Sequence, residues 1–460
     1  MDQRSKIAVL GYGIEGVAMT KYLLKHEYFN ITVCDKNTDL NVEIPDGVST
    51  IFGEKYLENL TDFDVIFRSP GIKYLEPQIQ FAKEKGVEIS SPMAFFLDAC
   101  PCHVIGVTGT KGKGTTATLI YEILKEAKKD AYLGGNIGQS PMDFLDELKK
   151  TSVVVLEMSS FQLQDLVKSP HVAILLNTTT DHLDYHADRE EYLRAKESVL
   201  VHQNKDCLAI LNKDYEYVNY YSAIVKGRKK FVSVRGKVED GAFEKDGEIF
   251  YAEYSDTEKV CNVSDIALVG KHNFENVLPA ICAAKEFGVS IEVMKKTIKA
   301  FTGLPHRLEF VKEVDEVKYY NDSFSTTPET SMAAVDSFEV PTVLIAGGFD
   351  KGLNYKEWAL KILTRPSLEV VILLGHTADR MEKDLAEAGE KLGEAEGSPT
   401  KIFRVNNIHE AVVLASKQAK QGGVVVMSPG SSSFDLYSNY KERGKKFMEE
   451  VKGLGYCAFV

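Results

Sequence analysis

Residues 104–119 read VIGVTGTKGKGTTATL. A short apolar run (Val104, Ile105, Val107) gives way to Gly109, Gly112 and Gly114, with Thr110, Lys111 and Lys113 between them. Thr115 opens a segment whose apolar periodicity runs through Leu119, Ile120 and Leu124. The order is strand, glycine-rich loop, helix. Glycines let the backbone bend so that several N–H groups converge on one anion, and the helix N-terminus behind them favours negative charge. Lys113 is placed to reach terminal phosphates, and a hydroxyl at the helix start to hold Mg2+. The general P-loop pattern G-x-x-x-x-G-K-[ST] is met incompletely: Val107 stands five residues before Gly112, and Gly114 follows Lys113. Thr115 must then supply the hydroxyl.

A chain of 460 residues exceeds one ordinary domain, and its length suggests about three. With 44% hydrophobic and 27% charged residues it reads as globular and soluble. A formal charge of −12 argues against a nucleic-acid backbone as partner, because binding one needs clustered lysine and arginine. No apolar run approaches the roughly 18–20 residues that span a bilayer, so no membrane insertion is expected. The first residues enter a strand at once, without the apolar core of a leader, and a cytoplasmic location is expected. The seven cysteines are scattered; Cys100 and Cys102 are close, but no second pair completes a zinc site, and structural thiols in a reducing compartment are expected.

Outward from the central motif, strands 6–10 and 31–34 flank Gly11, Gly13, Ile14 and Gly16, and Asp35 and Lys36 follow close to 20 residues after the glycines. This is the dinucleotide fingerprint: a tight turn, close approach to a pyrophosphate, and an acid for a ribose hydroxyl. Alone it predicts NAD; any nucleoside diphosphate presents the same anion. A further strand, 65–67, runs into Arg68, Ser69, Pro70, Gly71 and Ile72, a second small-residue loop. The second sheet is expected to add strands near 130–134, 153–157, 172–176 and 208–211. Several end in polar residues: Asn136 after one, Glu157 and Ser159 after the next, Asp181, His182 and His186 after the third. Glu157 and His182 at neighbouring strand ends suit a hard cation such as Mg2+. Residues 215–265 read as edge hairpins. Asn273 and Asn276 lie three apart at a helix start, on one face, and either cap it or contact a base or sugar. After a linker containing Arg307, strands near 317–320, 342–346, 369–374, 401–405 and 423–427 alternate with helices, again a doubly wound α/β pattern. Loops at 321–327, 347–352 and 428–433 follow three of them.

The order of these segments resembles the Mur ligase family. The resemblance is carried by GTKGK at 109–113, GGNIG at 134–138, EMSSFQL at 157–163, DHLDYH at 181–186 and YLRAK at 192–196. It continues through GKHNFEN at 270–276, GLPHR at 303–307, NDS at 321–323 and SPGSSSFD at 428–435, collinear over essentially the whole chain. It implies three α/β domains: a Rossmann-like UDP-binding domain at 1–95, a central ATP-binding P-loop domain at 96–302, and a Rossmann-like amino-acid-binding domain at 303–460. It further implies ATP-dependent addition of glutamate, D-glutamate foremost, to UDP-N-acetylmuramoyl-L-alanine through an acyl phosphate, by a monomer using Mg2+ at two sites.

Carried over by position, Gly109, Thr110, Lys111, Gly112, Lys113, Gly114 and Thr115 would hold the ATP phosphates, with Asn273, Asn276, Arg307 and Asp322 completing the ATP site. Lys113, Glu157, His182 and Lys196 would be catalytic, and Thr115, Glu157, His182 and Lys196 the metal set, Lys196 as a carbamate. Gly11, Gly13, Ile14, Asp35, Lys36, Ser69, Gly71, Asn136 and Ser159 would receive the UDP-sugar. Thr326, Lys351, Ser433 and Phe434 would receive glutamate. The spelling departs from the family at Gly114, at Glu15, where a small hydroxyl residue is usual beside the diphosphate, and at Phe324, where a lysine is common. The alternatives are ligation of L-glutamate or another amino acid, a folylpolyglutamate-type ligase, an NAD-dependent oxidoreductase, and a nucleotide-regulated binding protein.

Overall fold

A computed structural model describes residues 2–40, 42–178, 185–268, 270, 273–396 and 400–454, with the backbone alone at 393–396. His182, part of the sequence-predicted metal set, lies outside the described residues, as do Asp181 and His272.

Short runs of valine, isoleucine and leucine set the architecture, because strands covered on both faces need apolar residues throughout rather than at alternate positions. The first sheet is all parallel, in the order β3-β2-β1-β4-β5, formed by β1 (Ile7–Leu10), β2 (Ile31–Asp35), β3 (Ser49–Phe52), β4 (Val65–Arg68) and β5 (Glu88–Ser90). The second contains β6 (His103–Thr108), β7 (Ala131–Gly135), β8 (Val153–Glu157), β9 (Val172–Leu175), β10 (Leu208–Asn212) and β11 (Arg228–Ser233), all parallel. It ends in a three-stranded edge, β12 (Asp240–Lys245), β13 (Glu248–Glu253) and β14 (Asp256–Asn262), giving the order β14-β13-β12-β11-β10-β9-β6-β8-β7. The expected hairpins at 215–265 need correction in part. Val218–Ile224 is a helix and β11 pairs with β12 in parallel, so only β12 to β14 form an antiparallel meander.

The third sheet has the order β15-β16-β20-β17-β18-β19, built from β15 (Glu309–Val314), β16 (Val317–Asn321), β17 (Thr342–Ala346), β18 (Leu368–Leu373), β19 (Lys401–Arg404) and β20 (Val424–Met427). All its pairs are parallel except the β15–β16 hairpin, whose turn residues Asp315 and Glu316 both take positive φ, at 50° and 62°. Two central residues in that region make the turn whose twist matches paired strands. Helices alternate with these strands, as expected of the α/β class. No described helix is long and apolar enough to cross a membrane.

The chain divides into two compact units, residues 1–266 with 274–300, and residues 267–273 with 301–460. The first holds two sheets because one apolar core runs through both. Ile7, Val9, Met19, Phe67 and Met93 from the first sheet and its helices share a cluster with Val104, Met142, Phe144, Val154 and Leu163 around the second. Phe96 meets Phe144 edge to face at 5.9 Å across the seam.

An ion pair sits in the same seam. Strand β4 reads VIFR and is buried throughout, its arginine included. Arg68 Nε donates to Asp165 Oδ2 at 2.9 Å, and Nη2 stands 2.7 Å from the same oxygen. The other guanidinium hydrogens reach the carbonyls of Ile72 (2.7 Å) and Phe161 (2.8 Å). Ser91 Oγ donates to Asp165 Oδ1 at 3.0 Å. Burial works against the guanidinium charge, but Asp165, Tyr185 and Glu15 outweigh it and hold the arginine above its ordinary pKa. Removing one partner of such a pair leaves a buried charge uncompensated. Arg68→Met is expected to lower unfolding free energy by about 3–5 kcal/mol, and Arg68→Met with Asp165→Leu to recover a large part of it. Urea unfolding followed by circular dichroism checks both.

Candidate active site

The loop after β6 has the geometry expected of an anion cradle. Gly112 takes φ 86° and caps the helix Lys113–Glu126, so Lys113 is its first helical residue and Gly114 and Thr115 complete the first turn. A Cβ on Gly112 would stand 2.0 Å from Asn276 Oδ1, so no other residue fits there without displacing that side chain. Thr116 Oγ1 donates to the Asn276 carbonyl at 3.3 Å. Asn276 is therefore packed against the loop. Lys113 Nζ donates to the carbonyls of Gly109 (3.2 Å) and Thr110 (3.1 Å), curled over the turn that it would leave to meet a phosphate. Lys196, also buried, donates to Gly109 O at 2.9 Å and lies 4.6 Å from the Tyr192 ring centroid, while Tyr192 OH and Thr110 Oγ1 are 2.9 Å apart. One helix, Arg189–Val201, thus braces the loop from the side. Lys111 is exposed at its tip.

The neighbouring strand ends carry the polar residues that were expected of them. Glu157 is buried at the end of β8 and accepts from Asn136 Nδ2 at 3.1 Å; the Asn136 N–H donates to the Glu157 carbonyl at 2.9 Å. Ser159 caps the short helix Ser160–Leu163 and shares a capping box with Gln162. His186, singled out only as part of a motif, is buried between Glu191 Oε2 (2.5 Å) and Ser160 Oγ (2.9 Å). As an ammonium Lys196 donates and cannot ligate a cation. Among the described residues Glu157 and Thr115 are the oxygen donors of the expected metal set, and a carboxylate with a hydroxyl beside a phosphate loop suits Mg2+, which takes few protein ligands and keeps waters.

In the first sheet the fingerprint folds as such. Gly11 takes φ 83°, and a Cβ on Gly16 would stand 2.0 Å from the Gly11 carbonyl, the close packing that this glycine position exists to allow. Gly13 caps the helix Ile14–Lys25, and Ile14 is exposed at the rim. Ser69 Oγ donates to Gly11 O at 2.7 Å, tying the loop after β4, with Gly71, to the loop after β1. Asp35 accepts the N–H groups of Tyr12 (2.6 Å) and Asn37 (2.8 Å), so one carboxylate orders the turn; Lys36 is exposed beside it. Glu15 turns away from the loop into the seam, where Gln162 Nε2 donates to its Oε1 and its Oε2 is buried with no partner among the described residues.

In the second unit three loops leave the carboxyl ends of β16, β17 and β20 and are bonded to one another. Gly347 N–H donates to Pro429 O at 2.8 Å, Phe349 N–H to Ser432 O at 2.9 Å, and Gly430 N–H to Ser325 O at 2.9 Å. These bonds join the loops that carry Asp322 and Thr326, Lys351, and Ser433 and Phe434. Lys351 Nζ lies 5.4 Å from the Phe434 ring centroid, with Phe434 exposed and Ser433 buried. Asp322 is buried and its carboxylate accepts from Ser428 Oγ (2.7 Å), Ser325 Oγ and the Leu308 N–H (3.1 Å). Burial pushes its pKa up to about 6 against those donors. Arg307 stacks its guanidinium 3.8 Å from the Phe324 ring centroid, which gives the departure at Phe324 a physical role. Asn273 is buried, and its N–H donates to Gly270 O at 3.0 Å.

Sequence reasoning missed Arg443. Its buried guanidinium donates to the carbonyls of Ser431 and Ser432 (3.0 Å each), to Ser323 O (2.9 Å) and to Ser323 Oγ (3.0 Å), fastening two of the three loops. Burial brings its pKa down to about 10. An arginine in a helix of otherwise exposed charges carries no pattern that marks it in advance.

Glu15 gives the stability of the fold a pH dependence. Burial raises its pKa to about 7, opposed by Gln162 and Arg68 and assisted by Asp165. The folded chain then binds a proton that the unfolded chain has lost between the ordinary glutamate range and 7. Glu15's contribution to stability is present in full below that range and lost as pH rises through 7. Glu15→Gln is expected to flatten the decline in stability between pH 5 and pH 8, with a gain on the order of 1–3 kcal/mol at the upper end. Urea unfolding at both pH values checks it.

The family model of the MurD-like Mur ligase N-terminal domain matches residues 5–91, that of the Mur ligase middle domain residues 107–284, and that of the Mur ligase glutamate ligase domain residues 306–430. A UDP-N-acetylmuramoylalanine–D-glutamate ligase of Acetivibrio thermocellus is 38% identical over 458 residues, 98% of this chain and 97% of that one. One from Clostridium tetani is 37% identical over 457 residues, with the same coverage. Among solved structures, the MurF ligase of Thermotoga maritima in complex with ADP shares the fold at a TM-score of 0.58 and 17% identity, covering 97% of this chain and 94% of that one. The MurC ligase of the same organism does so at 0.57 and 16%, covering 98% and 100%. With the phosphate loop at 109–113 and the fingerprint loop at 11–16 each inside a matched domain, and relatives 37–38% identical over 98% of its length, this chain belongs to the Mur ligase family.

Proposed function

We propose that this chain joins the amine of D-glutamate to the alanine carboxylate of UDP-N-acetylmuramoyl-L-alanine, converting ATP to ADP and phosphate, as a cytoplasmic monomer in peptidoglycan precursor synthesis. The observation that carries the reading is the loop at 109–113, with Lys113 opening its helix, in a chain matched over 98% of its length by the D-glutamate ligase of Acetivibrio thermocellus. An oxidoreductase would leave that loop without a task.

A carboxylate is a poor electrophile. Transfer of the γ-phosphoryl group to it makes an acyl phosphate, which the glutamate amine attacks, expelling phosphate. Little covalent work falls to the protein; positioning and neutralisation of charge carry the rate. Lys113 would exchange its loop carbonyls for the γ-phosphate, while the N–H groups of 109–114 hold the others. Mg2+, held by Thr115, Glu157 and His182, would neutralise charge on the phosphates; a second ion requires Lys196 to be carbamylated. Asn276 would act through Gly112, and Asn273, Arg307 and Asp322 match positions that hold ATP in the family's pattern. The diphosphate of the UDP-sugar would lie at Gly11, Gly13 and Ile14, with Asp35, Lys36, Ser69 and Gly71 around the nucleoside and Asn136 and Ser159 toward the sugar. Thr326, Lys351, Ser433 and Phe434 would receive the glutamate carboxylates. The domains would run 1–95, 96–302 and 303–460.

Phosphate release should require ATP, UDP-N-acetylmuramoyl-L-alanine and glutamate together. Loss of a charged donor at the transferring group is expected to lower turnover at least about ten-fold in Lys113→Ala; retention of wild-type rates refutes the assignment. In the same assay D-glutamate should exceed L-glutamate by at least about ten-fold in kcat/KM, since three loops fix the carboxylates relative to the amine. Equal rates overturn the stereochemical reading.

A further inference from the structure

Cys100 and Cys102 play no part in the proposed reaction, yet they form a local arrangement of sulfur atoms that sets them apart from the other described cysteines. Cys100 ends the helix Pro92–Ala99 in an extended conformation, and Cys102 immediately precedes β6, the strand that leads into the phosphate loop. Pro101 lies between them. Their Sγ atoms are 3.5 Å apart, and the Cys100 Sγ is also 3.7 Å from the Cys102 carbonyl.

The two thiols differ. Cys100 is half-buried, whereas Cys102 is buried at 5% exposure as part of the core that joins the two sheets. The Cys102 thiol beside it and the Lys168 ammonium draw the Cys100 thiol down to about 7 against its partial burial. The same contact, together with burial, pushes Cys102 up. Cys34, Cys261 and Cys282 are buried, and burial pushes their thiols up. Reactivity follows thiolate character and access, so attack at Cys100 is favoured and Cys102 is held where it can only resolve.

We propose that Cys100 and Cys102 are a dithiol that closes to an intramolecular disulfide by exchange with a small disulfide of the glutathione class. The Cys100 thiolate attacks one sulfur of the small disulfide; that S–S bond breaks, one small thiolate leaves, and a mixed disulfide forms at Cys100. Cys102 then gives up its proton and attacks the Cys100 sulfur, expelling the second small thiolate. Both small thiolates take up the protons lost by the two cysteines, so one disulfide is consumed, one is formed, and two small thiols are released. In a reducing compartment the pair returns to the dithiol by the reverse exchange. The link would join the end of the helix Pro92–Ala99 to the root of the strand that carries the phosphate loop.

The test treats the native full-length chain with oxidised glutathione, blocks residual thiols, and reads intact mass and peptide map. In the peptide map, the expected product is a Cys100–Cys102 peptide lighter by two hydrogen atoms, formed at least about ten times faster than any adduct at Cys34, Cys207, Cys261 or Cys282, with Cys457 replaced by serine in every chain tested. Cys102→Ser should instead stop at one glutathionyl group on Cys100. Cys100→Ser should leave Cys102 unmodified over the same time. Circular dichroism of each variant establishes that it is folded. A wild-type chain whose peptide map shows a stable glutathionyl adduct on Cys100, or in which Cys100 and Cys102 stay reduced while Cys102→Ser is also unreactive at Cys100, overturns the proposal. None of these readouts depends on ligase activity.

Discussion

Parallel pairing sends every strand of a sheet in the same direction, so the loops that follow them leave from one edge. The first sheet, the seven-strand parallel body of the second (β6 to β12) and the third sheet apart from β15 obey this constraint. The candidate loops lie on those edges: Gly11 to Gly13 after β1 and Ser69 to Gly71 after β4, 109–112 after β6, Asn136 after β7, and the Asp322, Lys351 and Ser433 loops after β16, β17 and β20. Ligands gather at such edges because helix N-termini and unpaired backbone N–H groups face the same space there. Neighbouring loops are then bonded to one another, as Ser69 is to Gly11 and Pro429 to Gly347, so each site is held from two strands.

Buried charge does the fastening. Arg68 with Asp165, Arg443 with the Ser323 and Ser431 carbonyls, and Asp322 with two serine hydroxyls each sit under a candidate loop. A charge taken out of water must be met by several partners, and meeting them fixes the geometry of the segments that supply them. Glu15 is the exception. Its Oε1 is met by Gln162 and its Oε2 by no described residue, and its carboxyl accordingly holds a proton more tightly than an exposed one would. The acid that looked out of place beside a diphosphate is directed into the seam between two sheets.

Much of the fold was legible. The apolar runs of β1, β2, β4, β6, β8, β9, β10, β16, β17, β18 and β20 are short, β-branched and followed by glycine or polar residues, and each was placed within a residue or two. Strands β3 (STIF), β5 (EIS) and β15 (EFVKEV) escaped notice because they are part exposed, short or mixed in polarity, and exist by pairing with a neighbour already in place. The parallel β11–β12 contact was invisible for a related reason: alternating residues announce a strand without announcing its partner's direction. Of the candidate site, the glycines, Lys113, Glu157, Asp35 and the C-terminal serines could be picked out because their types and spacing fit chemistry with a ligand. Arg68 was seen only as a loop's first residue.

By itself the sequence determined the apolar strands of each sheet, where loops able to hold phosphate must fall, and, by collinearity of motifs, the family. Those properties are local, set by backbone conformation, apolar patterning and the spacing of a few side chains. The tertiary structure alone decided that Arg68 pairs with Asp165 across 97 positions, that Asn276 closes on Gly112, that Arg443 ties Ser323 to Ser431, and that Glu15 meets Gln162. Such contacts depend on which elements the cores bring together, and no residue's immediate neighbours in the chain carry that information.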